Sequence, residues 1–337
     1  MKTRIVISVS LIVVVLAMAN LFVGHAQQAA GEPPQLTGNG APPLSNPLKV
    51  ALLKWYNANR VPTTFPVGNQ PYGVAFDGQN IWTANNGDGT VSKVRASDGS
   101  VLGTFPAGNG PYGVTFDGAN MWVSDLGGTV VKLRASDGKN LGTFAVGPSP
   151  GWMAFDGANI WVPTAPSQGN GSVTKLRASD GKNLGSFTVG VGPVATAFDG
   201  ANVWVANQTS FDGGTVTKLR ASDGNVLGTF TVGFTPLGIA FDGANIWTAN
   251  SGDATVTKLR ASDGTVLGTF NTPGSPYGIA FDSADIWVTG APYMYELRAT
   301  DGAQVGFFVP PTNTIGVAFD GANVWVAGYN NNKIGKL

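Results

Sequence analysis

The phrase "GVAFDGQNIW" spans residues 73–82, and near-copies of it return to the end of the chain. The Phe of each copy falls at Phe76, Phe116, Phe155, Phe198, Phe241, Phe281 and Phe319. Successive copies are therefore 40, 39, 43, 43, 40 and 38 residues apart. A Trp follows each Phe by six residues, at Trp82, Trp122, Trp161, Trp204, Trp247, Trp287 and Trp325. A period of this length marks a repeat architecture, in which one unit cannot bury its own apolar faces and must stack on a neighbour.

One unit reads as four short strands. "YGVAF" (72–76) alternates large and small side chains, and the Asp-Gly after it is a hairpin signal. "IWTAN" (81–85), "TVSKVRA" (90–96) and "VLGTF" (101–105) follow, with "SDG" turning the third into the fourth. Four antiparallel strands per 40 or so residues, with no helix between units, predict an all-β, seven-bladed β-propeller spanning 61–337. The last unit holds only three strands, "IGVAF", "VWVAG" and "KIGKL". An orphan fourth strand, "TTFPVG" (63–68), precedes the first unit. Pairing the two closes the ring and removes the exposed strand edges.

The segments before the ring read differently. Residues 1–26 have Lys2 and Arg4, then an apolar run, then Gly24-His25-Ala26, as in an export signal cut before Gln27. That reading places the chain outside the cytoplasm: periplasmic, secreted or on the cell surface. An uncleaved anchor is the other reading, since residues 5–23 are nearly long enough to span a bilayer, though Ser8, Ser10 and Asn20 interrupt them. Residues 27–46 are rich in Gln, Gly, Pro and Asn, which suits a linker. Residues 47–60 put Leu48, Ala51, Leu52 and Trp55 on one face of a short amphipathic helix, to pack on the ring or dock a partner.

Composition narrows the chemistry. The chain has no Cys, which excludes disulfides, thiolate nucleophiles and Cys-bound zinc, and its one His is His25, inside the leader. Lys and Arg number 20, as do Asp and Glu; without Lys2 and Arg4 the balance is 18 basic against 20 acidic. Such a balance, with no clustered basic patch, argues against nucleic acid as a partner. Once the leader is removed nothing calls for a membrane, and a monomer is expected.

Sorting the turns by face separates scaffold from candidate site. On one face "FDGxN" and "RASDG" recur almost unchanged, and their Asp residues serve the turns. The Arg residues at 95, 134, 177, 220 and 260 are expected to pair with the Asp three residues on. On the other face the loops after the second strands differ: "NNGDG", "DLGG", "TAPSQGNG", "NQTSFDGG", "NSGDA", "GAPY" and "GYNNN". Variable loops on a constant scaffold are the usual place for binding. Tyr72, Tyr112 and Tyr277 begin inner strands on that face, and Trp152 stands where five other units carry Gly. These four rings are the candidate ligand wall, with Asn85, Asp125 and Asn250 as a polar rim. Asp88, Asp125 and Asp253 are the candidate oxygen ligands for calcium or magnesium, although no EF-hand spacing supports a cofactor. A small molecule, a glycan or a protein is the expected partner.

The blade pattern "G-x-A-F-D-G-x-x-I-W-x-x-N" resembles secreted bacterial propellers of YVTN, NHL-like and WD40/YVTN-like repeats, and also the blades of streptogramin (virginiamycin B) lyase. The lyase likeness implies catalysis by a His and a Glu on the propeller face, assisted by magnesium. Here the ring has no His, and its only Glu, Glu296, stands on a third strand where other units carry Lys. The expectation is therefore a binding protein. A lyase- or lactonase-like enzyme using a metal on Asp and Asn oxygens, or a structural surface or adhesion protein, are the alternatives.

Overall fold

The computed structural model describes residues 63–208, 213–291, 293–310 and 313–337. The expected leader, linker and helix at 1–60 lie outside these residues. Among the described residues, twenty-eight strands form seven four-stranded antiparallel sheets, six of them in simple up-and-down chain order. In the first blade the strands are β2 (Pro71–Phe76), β3 (Asn80–Asn85), β4 (Thr90–Arg95) and β5 (Val101–Pro106). Among the described residues no helix is long and apolar enough to cross a membrane.

The seventh blade closes as the strand count predicts. β1 (Thr63–Pro66) pairs antiparallel with β28 (Lys333–Lys336), aligning Thr63 with Lys336 and Pro66 with Lys333. Asn332 reinforces the join: its Oδ1 accepts from the Gln70 backbone N–H and its Nδ2 donates to Asn69 Oδ1. No turn links the third and fourth strands of this blade, because the fourth comes from the other end of the ring.

The core lies between blades. Trp82 packs with Met121, Val123 and Leu133 of the next blade and stacks on Phe105 of its own, 5.6 Å between centroids. The same pairing recurs as Trp204 with Phe230 and Trp325 with Phe65. Each such Trp is wholly buried except Trp287, which keeps 9% of its surface.

The monotonous face is a set of latches between blades. Lys218 Nζ donates to the carbonyls of Ala261 (2.7 Å) and Ser262 (3.0 Å) in the following "RAS" turn, and lies 4.9 Å from the Trp204 ring centroid. Lys93, Lys132, Lys175 and Lys258 grip the next blade in the same way, and Lys336 reaches Ala96 across the closing seam. The Arg residues pair with Asp in their own turns, as expected: Arg220 with Asp223 at 2.9 Å, and likewise in the other units. The turn Gly fits under the neighbour's fourth-strand Phe. At Gly224 (φ +76°) a Cβ would collide with the Phe187 ring, so both conformation and space demand glycine.

Candidate functional site

Each inner strand starts at the varied face opposite the end of the second strand: Pro71 faces Asn85, Pro111 faces Asp125 and Pro236 faces Asn250. The residue after the Pro lines the mouth of the central axis. The third position is Gly in five blades and Ala195 in blade four; the Gly lets neighbouring inner strands approach, since a Cβ at Gly73 would press on the Tyr112 carbonyl. Blade three departs from this pattern. Its inner strand shrinks to Ala154–Phe155, and Trp152 bridges in parallel to Ala195 of blade four. The Trp152 N–H donates to the Val194 carbonyl, and its own carbonyl accepts from the Thr196 N–H.

The structure brings together the four predicted rings and adds a fifth, Tyr329. A cavity of about 280 Å³ is lined by Tyr72, Tyr112, Trp152, Leu237, Tyr277, Asn313, Ile315, Tyr329 and Asn330. Four of the rings form a continuous arc. Tyr329 meets Tyr72 edge-on at 5.1 Å, Tyr72 meets Tyr112 at 4.8 Å, and Tyr112 meets Trp152 at 4.9 Å. Trp152 also lines a second space of about 150 Å³ on the axis, shared with Val74, Met153, Ile239 and Ile279. Trp152 is thus common to the mouth and to the space below it.

No lining residue of either cavity carries a formal charge. Burial, then the adjacent Tyr329, raises the Tyr72 phenol above its ordinary pKa. Burial, then Tyr72, raises Tyr112 well above it. Both hydroxyls stay protonated at physiological pH, as donors and acceptors.

The expected polar rim lies elsewhere. Asn85 and Asn250 are fully buried, their Nδ2 groups donating to Thr90 and Ser92 and to Thr255 and Thr257. Asp125 is 6% exposed and accepts from the backbone N–H groups of Asn109 and Gly110. Asp125 pins the connection between blades one and two, while the two asparagines tie the second strand to the third in their own blades, because buried polar groups must find partners. The polar groups at the mouth are instead Asn313, Asn330 and the phenols. Tyr329 escaped the sequence reading because it follows a second strand, at a position where other blades carry Asn86, Leu126 or Ser251. The aromatic in "GYNNN" was the available signal.

The candidate metal ligands do not converge. Asp88 accepts from the Asn69 N–H and Thr90 Oγ1, and Asp253 from the Phe234 N–H and Thr255 Oγ1, so each is taken up by the connection entering its blade and by its own third strand. Among the described residues the acids that do gather are Asp282, Asp285 and Glu296, half-buried, with oxygens within 4.8 Å of one another. They lie at the sixth blade's seam with the seventh, where other blades place Asp, Asn and Lys. Three carboxylates so close are able to hold a cation.

The fold is a seven-bladed β-propeller with an aromatic mouth at one end of its axis. One solved structure, titled hydrazine synthase from Kuenenia stuttgartiensis, matches it with a TM-score of 0.70 and 18% identity, covering 83% of this chain and 97% of that one. At that identity the likeness is one of fold. No family model matches the chain, and no curated protein matches it.

Proposed function

We propose that this is an exported binding protein that holds a small uncharged ligand in the aromatic mouth of the ring. The carrying observation is the arc Tyr329–Tyr72–Tyr112–Trp152 around a cavity of about 280 Å³ with no charged lining. A concave, largely apolar site with a few convergent polar groups is the general form of a ligand pocket. Aromatic side chains bury much area while Tyr keeps a hydrogen-bonding tip. Export rests on the charged start, apolar run and small-residue cut of residues 1–26.

The test is a thermal-shift screen of uncharged small molecules, followed by titration of any compound that raises Tm. Trp152→Ala is expected to weaken binding at least tenfold, a loss of about 1.4 kcal/mol, while the ring stays folded. Lys139→Ala, an exposed change on the monotonous face, is expected to leave affinity unchanged. The reverse pattern would place the ligand on the wrong face.

A further inference from the structure

We infer that the ligand is one pyranose unit of a neutral sugar, taken as a free sugar or as the end of a glycan. This rests on the mouth being a binding site, as proposed above, and adds the class of molecule. Three features of the cavity select it.

The first is the shape of the wall. Tyr72 and Tyr112 are tilted by 36°, Tyr112 and Trp152 by 33°, and Tyr329 stands at 73° to Tyr72. Successive tilts make a curved wall, suited to a puckered ring more than to a flat one. The face of a pyranose presents C–H bonds polarised by neighbouring oxygens, and the aromatic face carries the complementary negative charge.

The second is the character of the polar groups. Asn313, Asn330 and the tyrosine hydroxyls each both donate and accept. A sugar hydroxyl does the same, so adjacent hydroxyls find partners in either direction. A flat aromatic hydrocarbon would cover these groups and leave them unpaired, an unfavourable exchange.

The third is charge and size. With no carboxylate in the lining, a quaternary ammonium would lose its hydration and gain only ring faces. With no Lys or Arg there, an acidic sugar has no counter-charge. The volume of about 280 Å³ lies at the small end of ligand pockets, so it has room for one unit and the next must project outward.

The experiment uses the full chain. Calorimetry and saturation-transfer NMR are run with the methyl glycosides of glucose, galactose, mannose and N-acetylglucosamine, and with linear tetrasaccharides of the same units. N-acetylneuraminic acid, tetramethylammonium and indole are the non-matching probes. At least one neutral glycoside is expected to bind, with its ring C–H protons saturated. Trp152→Ala and Tyr329→Ala are each expected to lower that affinity at least tenfold. Tyr329→Phe, which keeps the ring, is expected to lower it less, which guards against a folding defect. A tetrasaccharide that binds more tightly than its glycoside identifies a glycan end as the natural source; equal or weaker binding identifies the free sugar. If tetramethylammonium or indole binds with that sensitivity to the variants and no neutral sugar does, the sugar class is wrong and the mouth remains a binding site. If no probe's binding responds to Trp152→Ala or Tyr329→Ala, both readings fall.

Discussion

At the scale of single residues, the most repeated device is an aspartate that organises its own hairpin. Asp199 Oδ1 accepts from the N–H groups of Ala201 and Asn202, while its Oδ2 accepts from Trp204 Nε1 at 2.8 Å. The sequence marks this Asp as a turn former. The constant five-residue step from Asp to Trp is the trace of its second task, satisfying a buried indole N–H. Partial burial acts to raise the carboxyl pKa of Asp117, Asp156, Asp199, Asp242 and Asp320, but the hydrogen bonds outweigh it and the net shift is downward. Such groups bind protons more weakly when folded than unfolded. Their contribution is complete above the ordinary carboxylate value, about 4, and is lost as pH falls through the folded values. The exposed turn residues Asp98 and Asp263, held at about 2 chiefly by backbone N–H bonds, follow the same sign. Tm should therefore drop between about pH 4 and pH 2. Asp199→Asn should cost about 1–3 kcal/mol at pH 7, and that cost should shrink toward pH 2. Urea melts of both proteins across this range measure it; a cost independent of pH would mean that the charge on Asp199 is not what the indole uses.

At the scale of elements, the third strand carries two basic residues with different tasks. Lys218 is 7% exposed and its ammonium is held by carbonyls of the next blade, whereas both partners of the Arg220–Asp223 pair are about half exposed. Exposed pairs contribute little, but a buried carbonyl that loses its donor is expensive. Lys218→Met keeps the stem and removes the charge; it should destabilise by about 1–3 kcal/mol. Arg220→Ala should stay within about 0.5 kcal/mol. Chemical denaturation of the two variants separates these cases, and equal losses would refute the latch. The strands themselves were legible, because alternation and Asp-Gly turns are local signals. The Arg pairing was legible too, because an acid stands three residues on. The Lys latch was not, since its partner is main chain some 43 residues away and leaves no mark in side-chain pattern. For the same reason Asn85 and Asn250 read as open loop residues: nothing local shows that an incoming connection will cover them.

At the scale of the whole molecule, the ring was readable by counting. Seven Trp-bearing units, three strands in the last and one strand left over admit few arrangements other than closure. The mouth was partly readable: Tyr72, Tyr112 and Tyr277 share a strand position and Trp152 stands one residue beyond it, while Tyr329 joins them only through the fold. The seam between blades six and seven differs from the other six. The seventh blade has no third-to-fourth turn to offer carbonyls, and here Glu296 replaces the usual Lys. This coupling is testable in a circular permutant opened at the exposed loop 167–169, with Leu337 joined to the segment beginning at Thr63 by a linker carrying Arg-Ala-Ser-Asp-Gly. Glu296→Lys should raise stability more in the permutant than in the parent chain, with a coupling of about 0.5–3 kcal/mol. Calorimetry of the four proteins measures it, and zero coupling would show that the turn and the Lys are unrelated.

The latch has one more consequence, for how such a ring can grow. Each of the first five units bears both the reaching ammonium and the carbonyls that the unit before it grasps. A tandem copy of any of these units therefore arrives already fitted to its neighbours on both sides, with no matching change elsewhere. Chemistry places no limit on how many copies can stand in line, and the number that closes is decided by the wedge angle between Trp-filled blades. Only the junction where the ring closes cannot keep the latch in its common form, and there Glu296 stands in place of the Lys.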